Sequence, residues 1–111
     1  MNQRERISEI ISTYGKHGWR LRRMLLRPET QAVLVDDDKV IFDDAPIAES
    51  SVDALWFARP SHAEREAWEL RLVAETPYAL FETFEADEAE EDREEVRREM
   101  EARLRDYVAR S

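Results

Sequence analysis

The sequence predicts an α+β fold: an N-terminal helix, an antiparallel sheet of about four to six strands, and a long charged C-terminal helix. Three patterns predict it. Ile7, Ile10, Ile11 and Tyr14 recur at i, i+3, i+4, i+7, which marks one face of a helix. Between residues 19 and 84 the apolar residues alternate in short runs separated by proline and acidic turns. From about Asp87 to Val108 a helical stripe reappears inside a strongly charged segment.

In order along the chain, the first helix opens on Asn2 and Glu5, which have the spacing of a capping box. Gly15 offers a left-handed C-terminal cap, and Gly18 reinforces the stop. Trp19 to Leu26 reads as a strand in which Trp19, Leu21 and Leu25 alternate with Arg20, Arg22 and Met24. Arg23 falls on the apolar side of that alternation. Pro28-Glu29-Thr30 marks a turn, Ala32 to Val35 a short strand, and Val40 to Phe42 its hairpin partner. Asp43 to Ser51 is expected to be irregular.

Ala54 to Arg59 is apolar on both alternating faces, as in a central strand covered on both sides. Pro60 ends it, and Ser61 and Glu64 have capping-box spacing for a helical turn. Residues 63–74 fit both periods. Trp68, Leu70, Leu72 and Ala74 alternate, whereas Ala63, Ala67, Leu70 and Ala74 recur like a helix. We read 66–74 as a strand, because Tyr78 to Phe84 after Glu75-Thr76-Pro77 then completes a hairpin. In the last helix Ala89, Val96, Met100, Leu104, Tyr107 and Val108 form the apolar stripe. Acids lead and arginines follow, which complements the helix dipole. Glu94–Arg98, Glu99–Arg103 and Glu101–Arg105 are set for i,i+4 pairs.

One hundred and eleven residues make one domain, 1–111, with no room for a second core. An apolar fraction of 42% supplies enough side chains for that core without staples. No residue is a cysteine, which excludes disulfides, thiolate metal sites and a cysteine nucleophile. No apolar run resembles a signal peptide or spans a bilayer, so we expect a cytoplasmic protein with no membrane contact.

Net charge is −9 and unevenly spread. Residues 1–30 hold seven basic and three acidic side chains, a balance of +4, and the remainder carries −13. The Arg20–Arg23 cluster beside Trp19 is raw material for phosphate and base contacts. The acidic remainder repels nucleic acid, so no nucleic-acid binding is expected and the arginines pair internally. Trp19-Arg-Leu-Arg and Trp68-Glu-Leu-Arg share a four-residue pattern too short to establish a repeat.

No catalytic, cofactor-binding or metal-ligating residue is assigned. His17 and His62 are the two histidines, and neither sits in a pattern that makes a familiar metal site. Ser61-His62-Ala63-Glu64 holds triad ingredients, but sequence neighbours rarely reach triad geometry and Ser61 suits a cap. Asp36–Asp38 and Asp43–Asp44 lack the glycine of a calcium loop and read as a solvated tip. Nine acids against Arg93 between Glu82 and Glu95 read as a solvated helix start, available as a docking arm for a basic partner.

The functional expectation is a non-enzymatic interaction module. Two-sided apolar strands at 54–59 and 78–84 outnumber the helices available to cover them, which suggests a homodimer across an apolar sheet face. The alternative is a small-ligand or enzymatic domain with a Trp/Arg-lined cleft in which Arg23 converges with aromatics.

Overall fold

The computed structural model describes residues 1–35 and 45–111. The expected strand Val40 to Phe42 and the acid groups at 36–38 and 43–44 lie outside the described residues. Helix α1 (Gln3–Lys16) opens on the predicted capping box. Asn2 Oδ1 accepts from the Glu5 backbone N–H at 2.8 Å, and the Asn2 N–H donates to Glu5 Oε1 at 3.1 Å. At the other end the two glycines exchange their expected parts. Gly15 lies inside the helix, and Gly18, at φ +84°, makes the left-handed exit. Ile7 and Ile10 are the buried residues of this helix.

Strand β1 (Arg20–Leu26) leads into a second helix, α2 (Pro28–Val35), where a turn and a short strand were expected. The correction has a local and a tertiary cause. Pro28 is preorganised for the first helical position. Asp53, from across the fold, then supplies the missing cap. Its carboxylate accepts from the Arg27 backbone N–H at 2.8 Å and from Thr30 Oγ1 at 2.6 Å. A residue 26 positions away is invisible to local propensity.

The sheet runs in the order β2-β1-β3-β4-β5, with β2 (Ile47–Glu49), β3 (Ala54–Pro60), β4 (Glu66–Leu72) and β5 (Ala79–Phe84). All pairs are antiparallel except β1 with β2, which are parallel. Parallel neighbours need a crossover, and α2 stands in that connection. The residues expected to be irregular at 47–49 are therefore an edge strand. The 66–74 ambiguity resolves as strand over 66–72, paired with both β3 and β5. At the β3–β4 tip a short 3-10 turn (His62–Glu64) forms without a side-chain cap from Ser61. Instead the Ser61 N–H bonds Arg65 O at 2.9 Å, and Ala63 and Glu64 adopt positive φ.

The central strand β3 is buried on both faces, as its composition predicts. Leu55 and Phe57 pack with Met24, Leu26, Ile7, Ile10 and Leu34 beneath α1 and α2. Trp56, Ala54 and Ala58 pack with Trp68, Leu70 and Phe84 beneath Met100 and Leu104 of α3 (Glu90–Arg110). One chain thus covers both faces of β3, and the uncovered apolar face expected there is not found. Three helices rather than two achieve it. The last helix begins at Glu90, three residues later than expected.

Candidate functional site

Strand alternation alone would put Arg22 and Arg23 on opposite faces. A β-bulge changes that. Leu21 pairs with Phe57 and Arg23 with Trp56, so β1 carries one extra residue between them. Beyond the bulge Leu25 joins the α3-side core, and both arginines reach that same face. The guanidinium of Arg22 lies 5.2 Å from the Trp68 ring centroid, and Arg23 reaches Glu94 and Glu101 on α3. The anomaly at Arg23 in the sequence is this bulge.

A cleft of about 360 Å³ opens there, lined by Arg22, Arg23, Pro46, Glu66, Trp68, Glu90 and Arg97. Arg97 is its deepest cation, only 2% exposed. Its guanidinium sits 4.1 Å from the Trp68 centroid and 5.4 Å from that of Phe84. Such stacking off water is worth about 2 kcal/mol. Two carboxylates hold the other side. Arg97 NH1 donates to Glu94 Oε1 at 2.6 Å and to Glu90 Oε2 at 2.9 Å, while NH2 donates to Glu90 Oε1 at 3.3 Å. The Arg97 Nε–H has no acceptor.

The remaining polar groups of the wall are tied to each other. Trp68 Nε1 donates to Glu66 Oε1 at 2.7 Å, which also accepts from Arg93 NH1 at 3.3 Å. Behind the cleft, Trp56 Nε1 donates to Glu101 Oε2 at 2.7 Å. Glu90 ionises below the usual carboxylate range because Arg97 hydrogen-bonds its charged form. For Glu94, burial pushes upward, and hydrogen bonds from Arg97 and Arg23 outweigh it and leave the carboxyl lowered. Burial likewise pushes Arg97 down, and its bonds to Glu90 and Glu94 hold it above the ordinary value. Arginine and carboxylates thus stay charged across the neutral range.

The first turns of α3 are therefore only in part the solvated acidic arm expected from the sequence: Glu90, Glu91, Asp92 and Glu95 are exposed, while Arg93, Glu94 and Arg97 turn inward. Arg93 packs 5.7 Å from the Phe84 centroid and donates to the Glu85 and Glu88 carbonyls, and Arg97 is buried. Glu94 pairs with Arg23 and, along the helix, with Arg97 rather than the expected Arg98, and Glu101 turns inward to Arg23 and Trp56. A signal for this was present. Arg93, Arg97, Met100 and Leu104 recur at i, i+4, i+7, i+11, so the buried stripe continues backward through arginines rather than through Ala89.

The other candidates stand apart from this chemistry. His17, Ser61 and His62 are exposed, and the His17 carbonyl accepts from Arg59 NH1 at 2.9 Å. Tyr14 donates its phenolic proton to Glu69 and stacks on Phe57. Burial and the Glu69 bond push its pKa up to about 12, which keeps the phenol neutral. Asp53 is buried and fully engaged, accepting from Gln3 Nε2 at 2.8 Å as well as from Arg27 and Thr30. Among the described residues no three His, Asp or Glu side chains group as metal ligands. No helix among them is long and apolar enough to cross a membrane. A scan against protein-family models, a search of curated proteins and a search of solved structures each return no match for this chain.

Proposed function

We propose that this chain is a non-enzymatic binding module whose recognition surface is the arginine–tryptophan cleft, and that it takes an anionic group. The supporting observation is Arg97. It is a nearly fully buried guanidinium with an unanswered Nε–H, on the wall of a cleft that two further arginines and Trp68 also line. Guanidinium forks suit planar anions, and an indole beside them adds a surface for the attached carbon skeleton. The cysteine-free composition suits a reducing, cytoplasmic setting.

The test is a titration of the ¹⁵N-labelled protein with small carboxylates and inorganic phosphate, against neutral amides of the same shape. Shifts centred on the Trp68 indole and Arg97 Nε–H signals that saturate with the anions and not the amides support the reading. Shifts scattered over surface lysine and arginine positions would refute it.

Self-association is a second reading. With β3 covered within one chain, its support moves to the sheet edge. Strand β5 ends the sheet, and Phe81 on it is 60% exposed beside Trp19. An edge strand with an apolar side chain invites pairing. Light scattering at ~100 μM, far above a micromolar dissociation constant, checks it, and a monomer mass there would end it. The exposed carboxylates Glu91, Asp92 and Glu95 leave room for a basic partner on the outer side of α3.

A further inference from the structure

We infer that Glu90 is a displaceable internal ligand of the cleft, and that the external ligand presents a carboxylate to the same fork of Arg97. The inference rests on reading the cleft as a binding site. It adds what fills the site in the free protein and what chemistry replaces it.

Glu90 and Arg97 differ sharply in accessibility. The Arg97 side chain is 2% exposed and the Glu90 side chain 73%. The most buried cation of the cleft is thus covered partly by a solvated glutamate. Both Glu90 oxygens engage the guanidinium, one on NH1 and one on NH2. That two-point geometry is the way a free carboxylate meets arginine. Glu90 therefore displays the pose an incoming carboxylate would take.

Among the described residues no other hydrogen bond holds the Glu90 side chain, and Arg93 and Arg23 add only longer-range attraction. Glu90 is the first residue of α3, and the N-cap, Ala89, makes no side-chain cap bond. The Glu90 side chain can turn out to water without unwinding the helix, whose first turn Arg93 ties to the Glu85 and Glu88 carbonyls. Although the Arg97 end of the pair is buried, its carboxylate end lies in water, where solvent screens the attraction and the long side chain loses rotamer freedom on pairing. Glu94 is different. It is only 36% exposed and is shared with Arg23, so it stays and keeps Arg97 half-neutralised when Glu90 leaves. Departure of Glu90 frees NH2 and one direction of NH1, beside the unpaired Nε–H. With Glu66 and Glu94 still in place, a monoanionic carboxylate meets less repulsion than a phosphate dianion.

The experiment titrates propionate and inorganic phosphate into wild-type protein, Glu90→Gln and Glu91→Gln, following Trp68 and Arg97 side-chain signals. Glu91 does not touch Arg97 in the structure and serves as the charge control. Native spectra of the variants establish folding, which substitution at these exposed positions preserves. The expected result is that Glu90→Gln binds propionate roughly fivefold more tightly than wild type, the size of one screened pair removed. Glu91→Gln should match wild type. Equal affinities for wild type and Glu90→Gln would overturn the internal-ligand role and leave the cleft reading standing. Phosphate binding more tightly than propionate would overturn the ligand class. No saturable shift in either protein would remove the cleft reading, and this inference with it.

Discussion

Replacing Arg97 separates two ways in which a buried arginine stabilises a fold. The ion pairs contribute little, because Glu90 is 73% and Glu94 36% exposed, and both return to water when the cation is removed. Pairs of that exposure are worth about 0–1 kcal/mol. The stem and the stacked guanidinium contribute more. Three methylenes off water are worth about 2.4 kcal/mol, and the contact over Trp68 about 2 kcal/mol. Arg97→Ala loses both and leaves a void beside Trp68 and Phe84, so it should cost about 3–5 kcal/mol. Arg97→Met keeps most of the stem, places a sulfur against the rings and removes the cost of desolvating a charge. It should stay within about 1 kcal/mol of wild type. In urea, where the slope for small proteins is about 1–3 kcal/mol per molar, the alanine variant should shift its midpoint down by roughly 1–5 M. The methionine variant should shift by no more than about a third as much. Equal losses from the two variants would refute the reasoning, since only a dominant charge interaction makes them equivalent.

Further outcomes follow from other contacts. Asp53→Ala should cost about 3 kcal/mol or more in the same titration, because it leaves the Thr30 hydroxyl and the Arg27 N–H unanswered at the start of α2 and removes one of the two acceptors of the Gln3 amide. Gly15→Ala should stabilise by about 0.5–1 kcal/mol, since a Cβ at this helical position meets nothing, while Gly18→Ala should destabilise by about 1 kcal/mol at its positive φ. Glu90 and Glu94 have lowered carboxyl values in the folded protein, so their contribution is complete above the ordinary glutamate value of 4.5 and fades as pH falls below it. Between pH 7 and about pH 3, a Glu90→Gln/Glu94→Gln double variant should lose less stability by thermal melting than wild type does. Arginines 22, 23 and 27 are paired with Glu66, Glu94, Glu101, Asp53 and Glu29, so duplex DNA or RNA should show no salt-sensitive complex tighter than ~1 μM.

Much of this protein is decided by local pattern. The capping box at Asn2 and Glu5 closes through atoms three residues apart, so spacing alone specifies it. The alternation of Trp68, Leu70 and Leu72, and the two-sided apolar run of β3, report burial directly because a strand turns its side chains to opposite faces residue by residue. What local pattern left open depends on partners distant in sequence. Residues 28–35 carry weak strand and turn signals, and they become a helix because Asp53 caps them. The same logic governs the cleft. Arg22 and Arg23 share a face only because β1 takes an extra residue against β3, a matter of register between strands distant in sequence. Arg97 is one arginine among many in a charged helix until β4 and β5 bring Trp68 and Phe84 beneath it. Charge along a sequence marks solvent exposure on average, and only the tertiary structure decides which cation is taken out of water and which carboxylates accompany it.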